Sequence, residues 1–357
     1  MKRIVTILLL LSSIVLNAQR TDAWLDSLIS ETIAAHEIPS MVVGYITNDS
    51  CYFGVGGKTQ INGGRDAQLT DMYHLGSNTK AIASLIAMRM VEEGQISMNT
   101  TFLDVFPQLK RKIKKTYSAI TLGDLLSHNA GVQPYTGGAD SQKLPELLGT
   151  PKERRKAFAK FVLNEEPIEG WGYSNAGYAI ASLMIETVAE TSFEELIAQS
   201  MKELNYNYTI GFPNQTDKNA PWGHYGPGSM QQALSPDFPY ALEDYLLAAG
   251  DVSMNILDYA DLIQMHLNGL NGEEGYVNSA NFKEMHYGKE KYAYGWINRE
   301  VDGTKVSAHD GSTGTFFCHT QVAPDKNFAI VIIMNAANQE QVEGLYGLEA
   351  EILKGLN

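Results

Sequence analysis

Two metal and redox signatures are missing from this 357-residue chain: it contains no Cys-x-x-Cys and no His-Glu-x-x-His. Its only cysteines are Cys51 and Cys318, too few for a disulfide-stapled scaffold. Both lie in strand-like segments that are expected not to be neighbours, so each reads as a small buried hydrophobe rather than half of a bridge. The Gly-x-Ser-x-Gly elbow is also absent, which weakens an α/β-hydrolase reading. Cations are scarce, with 27 Lys and Arg against 41 Asp and Glu, for a formal charge of −14. That balance argues against a nucleic-acid or anionic-membrane surface and says little about a small-molecule or peptide substrate, the partner expected here on other grounds. There are no repeats and no flexible linker.

What is present begins with a leader. Met1-Lys2-Arg3 is a short basic region, Ile4 to Leu16 is apolar, and Leu16-Asn17-Ala18 suits cleavage before Gln19. This pattern predicts a secretory signal peptide over 1–18 and a periplasmic or secreted protein. The apolar run is too short for a comfortable membrane span, so no integral span is expected after its removal.

The stretch His74-Leu75-Gly76-Ser77-Asn78-Thr79-Lys80 precedes a run of helix formers that Gly94 is placed to stop. With little polar interruption, that helix is expected to be buried nearly all round. Ser77 and Lys80 are three residues apart, which puts hydroxyl and ammonium on one helical face. Such a pair suits a serine nucleophile with a basic partner. Ser-x-x-Lys is a short pattern that arises easily by chance, but it occurs once here.

Ala23 to His36 has helical periodicity, and Met41–Thr47 with Cys51–Val55 reads as a hairpin. Met98 to Leu109 looks irregular. Thr121 with Asp124, and Ser192 with Glu195, mark helix starts. Helices are expected over 152–163, 176–189, 255–267 (stopped by Asn268-Gly269) and 339–354. Strands are expected over 292–299, 304–308, 315–322 and 328–334. The long stretch 205–251, rich in Pro, Gly, Tyr and Asn, is expected to form part of a site wall or lid. The order predicts an α+β protein: one antiparallel sheet built from both chain ends (19–75 and 250–357), with flanking helices. A mostly helical segment, 76–249, is inserted, and the site lies at the junction.

A serine nucleophile needs a proton acceptor and an oxyanion pocket. Tyrosine serves as acceptor if its pKa, ordinarily about 10, is lowered by nearby cations. Tyr173-Ser174-Asn175 offers one at a turn before a helix, with an amide to bind a carbonyl or orient Lys80. Tyr276-Val277-Asn278 has the same spacing. His309-Asp310-Gly311-Ser312 is suited to a strand edge facing Ser77: Gly311 permits close approach, and the Ser312 N–H would complete an oxyanion hole with that of Ser77. His224 and His286 share the His-x-Gly spacing, but only His309 is followed by a well-formed strand pair.

The ordered set Ser77-x-x-Lys80, Tyr173-x-Asn175 and His309-x-Gly311 resembles the serine β-lactamase and penicillin-binding-protein superfamily, in its class C-like branch. Leu125-Leu-Ser-His-Asn-Ala-Gly131, Ala-Gly-Asp-Val-Ser253 and Val-Ala-Pro324 look like further signatures of it. The resemblance implies an acyl-enzyme on Ser77, general-base work shared by Lys80 and Tyr173, and return of a proton to the leaving group by Tyr173. It implies substrate contacts from Asn175, His309, Gly311 and Ser312, and no metal or organic cofactor. Dedicated class C enzymes carry Lys-Thr-Gly where this chain has His309-Asp310-Gly311. A histidine there is similar to D-amino-acid-directed peptidases and family VIII-type esterases. It binds a carboxylate weakly at pH 7.

Three functions follow from this reading. The first is an exported serine hydrolase cleaving D-amino-acid peptides, amides or β-lactam-like compounds. The second is a carboxylesterase of the same fold. The third is a catalytically idle binding or sensor protein, against which the three intact motifs argue.

Overall fold

The structure, a computed structural model, describes residues 20–21, 23–137, 140, 142–301 and 303–355. The expected leader lies outside the described residues. No helix among the described residues is long and apolar enough to cross a membrane.

A seven-stranded sheet organises the fold. Its strands are β1 (Arg20–Thr21), β2 (Ser40–Thr47), β3 (Cys51–Gly57), β9 (Ile297–Val301), β10 (Thr304–Ser312), β11 (Phe317–Ala323) and β12 (Phe328–Met334). Their order across the sheet is β1-β3-β2-β12-β11-β10-β9. The first and last parts of the chain thus share one sheet, as the α+β reading requires. All pairings are antiparallel except the two-residue β1 against β3. Cys51 on β3 and Cys318 on β11 are separated by two strands, and both are free thiols.

Alternation along β12 explains how both faces are covered. Ile330, Ile332 and Met334 pack with Leu25 and Ile29 of the Ala23–His36 helix and Leu345, Leu348 and Ile352 of the Gln339–Gly355 helix. Val331 and Ile333 face the other way, into the larger core shared with the Ile256–Leu270 helix and the mid-chain helices.

Two short sheets complete the strands: β4 (Tyr73–His74), β8 (Val252–Met254) and β5 (Tyr208–Ile210) form one, β6 (His224–Tyr225) and β7 (Gln232–Ala233) the other. The first ties the approach to Ser77 to the segment after Asp251.

Several boundaries differ from expectation. A capping box of Thr101 and Asp104 opens a short helix, Phe102–Val105, inside the stretch read as irregular. The helix expected to stop at Asn268-Gly269 runs on to Leu270, and Gly269 sits flush against the Phe282 ring. A helix that was not expected, Ser279–Tyr287, is capped by Asn278 and supplies that ring. Tyr292 to Trp296 forms no strand, and β10 extends to Ser312 instead of ending at Ala308. Burial against neighbours, rather than local propensity, decided these ends.

Candidate active site

Ser77 lies in a 3-10 turn, Gly76–Asn78, that leads directly into the Thr79–Glu92 helix. Almost the whole of that helix is buried, and Gly94 follows it in the left-handed region at φ +73°. Lys80, in its first turn, is fully buried.

The Lys80 ammonium nitrogen has three neighbours. Nζ is 3.3 Å from Ser77 Oγ, 2.8 Å from Asn175 Oδ1 and 2.6 Å from the Ala249 carbonyl oxygen. Asn175 opens the Asn175–Val188 helix, whose N-cap Ser174 accepts from the Gly177 N–H at 3.0 Å. Its Nδ2 donates to the Tyr135 carbonyl at 3.0 Å, which fixes the amide so that Oδ1 faces Lys80. Burial holds the Lys80 pKa well below the usual ammonium value.

Tyr173 comes to the same place. Its hydroxyl faces Ser77, and Lys80 Nζ lies 4.7 Å from the centroid of its ring. The expectation of a depressed tyrosine pKa is corrected here. Burial raises it, and the nearby Ser77 hydroxyl offsets only part of that rise. The physical reason is that the neighbouring cation is itself desolvated and favours its uncharged form. Tyr276 lies elsewhere: its hydroxyl bonds Ser200 Oγ at 2.9 Å and Arg89 stacks on its ring. His224 bonds the Ile61 N–H and Asn335 carbonyl, and His286 bonds His266, both away from Ser77.

Strand β10 supplies the opposite wall. Its partner β9 pairs only as far as Ala308, so the β10 edge from His309 onward is open to the Ser77 turn. Thr313 N–H bonds the Phe316 carbonyl at 3.1 Å, which phases the ladder so that the Ser312 N–H points to the open edge. Two glycines let the backbones meet. A Cβ on Gly76 (φ +53°) would lie 2.7 Å from Ser312 N, and one on Gly311 would lie 2.8 Å from Ser77 N. The Ser77 and Ser312 amides therefore flank one small volume.

His309 is placed differently from a substrate contact. It is 1% exposed. Its Nδ1 donates to the Asp310 carbonyl at 2.9 Å, so Nε2 accepts from the Tyr292 hydroxyl at 2.9 Å. Burial, with Lys80 beside it, pushes its pKa down to about 3. It supports the wall from behind as an uncharged ring.

Ser77, Asn175 and Ser312 border a cavity of about 580 Å³ that is also lined by Tyr135, Tyr240 and Glu243, among others. Tyr240 to Glu243, Leu246, Ala249 and Gly250, inside the stretch expected to form a wall, do line it. Among the described residues no cluster of three or more His, Cys, Asp or Glu is disposed to hold a metal ion.

Three residues that bear on the site were not singled out from sequence. His74 and Asp251 bond each other at 3.1 Å beneath the Ser77 turn, and 177 positions separate them along the chain. Glu243 sits in a segment without periodicity. His74 and Asp251 lie in stretches already noted, Asp251 in the Ala-Gly-Asp-Val-Ser253 signature, but no local pattern gives either a role or marks Glu243.

A buried lysine against a serine hydroxyl, at the edge of a cavity flanked by two backbone amides, is an arrangement suited to chemistry by a serine nucleophile. The chain belongs to the Beta-lactamase family, whose profile matches residues 25–354. Protein flp of Staphylococcus aureus (strain COL) is 24% identical over 342 residues, covering 90% of this chain, which spans only 64% of that protein's length. Penicillin-binding protein 4 of Amycolatopsis lactamdurans is 20% identical over 84% of this chain and 81% of its own. Two solved structures share the fold. The octameric penicillin-binding protein homologue from Pyrococcus abyssi has a TM-score of 0.73 and 24% identity, covering 92% of this chain and 77% of that one. The class C beta lactamase from Rhodobacter sphaeroides has a TM-score of 0.74 and 18% identity, covering 92% and 99%.

Proposed function

We propose that this protein cleaves small carboxylic esters or amides through an acyl-enzyme on Ser77, with Lys80 as the base and Tyr173 as the proton donor. The observation that carries the reading is the set of three contacts at Lys80 Nζ. An uncharged amine has two N–H donors and one lone pair. The Asn175 and Ala249 oxygens take the two hydrogens, which leaves the lone pair for the Ser77 hydroxyl.

Ser77 Oγ adds to the substrate carbonyl carbon while its proton passes to Lys80 Nζ. The carbonyl oxygen becomes negative between the Ser77 and Ser312 N–H groups. Tyr173, held protonated by burial, gives its proton to the departing oxygen or nitrogen and recovers one from Lys80. Water then enters by the reverse route and releases the acid. Asn175 orients Lys80 and keeps one N–H for the substrate.

The ester reading is favoured over D-amino-acid peptides or β-lactams by one observation. Both ring nitrogens of His309 are engaged and the ring is uncharged, so it offers nothing to a substrate carboxylate. Export through the 1–18 leader is part of the same reading and rests on the sequence pattern alone.

Fluorophosphonate labelling of the wild type but not of Ser77→Ala is expected, with turnover of p-nitrophenyl acetate. Hydrolysis of nitrocefin and of a D-Ala-D-Ala peptide is expected to be slow. No labelling of either form would support the idle protein. Fast nitrocefin turnover would restore the β-lactam reading.

A further inference from the structure

The cavity beside Ser77 holds a charge that the chemistry above does not use. Among the described lining residues Glu243 is the only Asp, Glu, Lys or Arg. Its side chain is exposed and has no hydrogen-bond or ion-pair partner among the described residues. The backbone that presents it is tied on both sides. The Tyr240 hydroxyl donates to the Thr313 carbonyl, across the cavity mouth to the strand side. Asp244, the next residue, pairs with Arg154, and its carbonyl accepts from Arg155 Nη1 at 3.2 Å.

The nearby cations are committed elsewhere. Arg154 is spent on Asp244, and the fully buried Arg155 on Glu186 and Glu194. The remaining walls are uncharged or lean negative. Lys80 favours its amine form, and His309 is uncharged. The Tyr135 phenol is held neutral by burial first, then by its bond to Glu165 and the charges of Glu165 and Asp140. A carboxylate brought into this cavity meets no counter-ion and one like charge. A cation meets Glu243 alone.

We propose that the natural substrate carries an ammonium group, primary or quaternary, that docks on Glu243 while its ester or amide carbonyl reaches Ser77. Glu243 is then a specificity-determining residue, selecting cationic acyl donors and rejecting those with a carboxylate at that position. This rests on the serine-hydrolase reading above.

The test compares kcat/KM across esters of matched size and different charge. One series varies the acyl side: p-nitrophenyl esters of 6-aminohexanoic, hexanoic and adipic acids. A second varies the alcohol side: acetylcholine, 3,3-dimethylbutyl acetate and 3-acetoxypropionate. In at least one series the wild type is expected to favour the cation over the anion by about tenfold at low ionic strength, shrinking as salt is added. Glu243→Gln is expected to bring that ratio near one and Glu243→Lys to invert it. Using the ratio cancels any general loss of activity in the variants. Esters cleaved with no charge preference, or a preference that Glu243→Lys leaves unmoved, would overturn the proposal and leave the hydrolase reading standing. If none of the esters is cleaved and fluorophosphonate does not label Ser77, both fall together.

Discussion

His74 and Asp251 meet beneath the nucleophile turn, with Nε2 of the imidazole 3.1 Å from the Asp251 carboxylate. The other ring nitrogen accepts the Gly76 N–H at 3.0 Å, so the ring carries its proton on Nε2 and donates it to Asp251. Asp251 follows closely on Ala249, whose carbonyl holds Lys80. One hydrogen bond therefore links the backbone that positions Ser77 to the backbone that positions its base. Asp251→Ala is expected to destabilise the protein by about 1–3 kcal/mol. It should also lower ester kcat by about tenfold with KM little changed, since the substrate wall is untouched. Asp251→Asn keeps an acceptor oxygen and is expected to recover most of that kcat. Thermal melts and steady-state kinetics on the two variants check this, and equal kcat losses would remove the positioning role.

Lys80 governs the pH profile. Its pKa is depressed by burial, so the reactive amine is available at lower pH than in a free lysine and is lost by protonation as pH falls. Activity is expected to drop on the acid side and to stay level toward pH 9. A requirement for tyrosinate would instead make it climb toward about pH 10. Lys80→Arg cannot shed its proton, and a loss of about 10³-fold in fluorophosphonate labelling rate is expected. A profile still rising through the tyrosine range would transfer the base to Tyr173.

Tyr173→Phe removes the hydroxyl that faces Ser77 and is expected to lower ester turnover by about 10²-fold. Tyr276→Phe loses only a bond to Ser200 in a separate cleft and is expected to stay within about twofold of wild type. The reverse result in parallel assays would assign the wrong tyrosine.

His319 links β10 to the last helix. Its Nδ1 lies 2.6 Å from Asp310 and its Nε2 3.2 Å from Glu349. Burial acts to lower its pKa, but the two carboxylates outweigh that and raise it to about 9. A raised folded-state pKa stabilises fully below the unfolded value of about 6.5. That contribution is lost as pH climbs toward about 9. The melting temperature is expected to fall across that alkaline window, and His319→Gln to flatten the fall. A variant with the same alkaline slope as wild type would show that other groups cause it.

Much of this protein was readable along the chain. The helix Ala23–His36, the β2–β3 hairpin, the capping boxes at Thr121 and Ser192 and the stop near Gly94 all come from short-range rules of period, capping and glycine freedom. Ser77 and Lys80 were legible for the same reason: one helical turn brings them together whatever else the chain does. Their alignment with the Tyr173 and His309 motifs was enough to point to the family.

The structure decided what depends on distance in space. It brought Tyr173 rather than Tyr276 to Ser77: Asn175, two residues beyond Tyr173, reaches Lys80, whereas the Tyr276 hydroxyl bonds Ser200. It turned His309 into a wall support by giving both ring nitrogens partners, Tyr292 among them, that no spacing announces. It raised the Tyr173 pKa where a lowered one was expected, since burial depends on how many layers cover a side chain and not on its neighbours in sequence. It also set Glu243 in the cavity from a segment with no period. Sequence fixes contacts one turn or one strand apart; charge state and cavity lining belong to the assembled fold, where desolvation outweighs local chemistry.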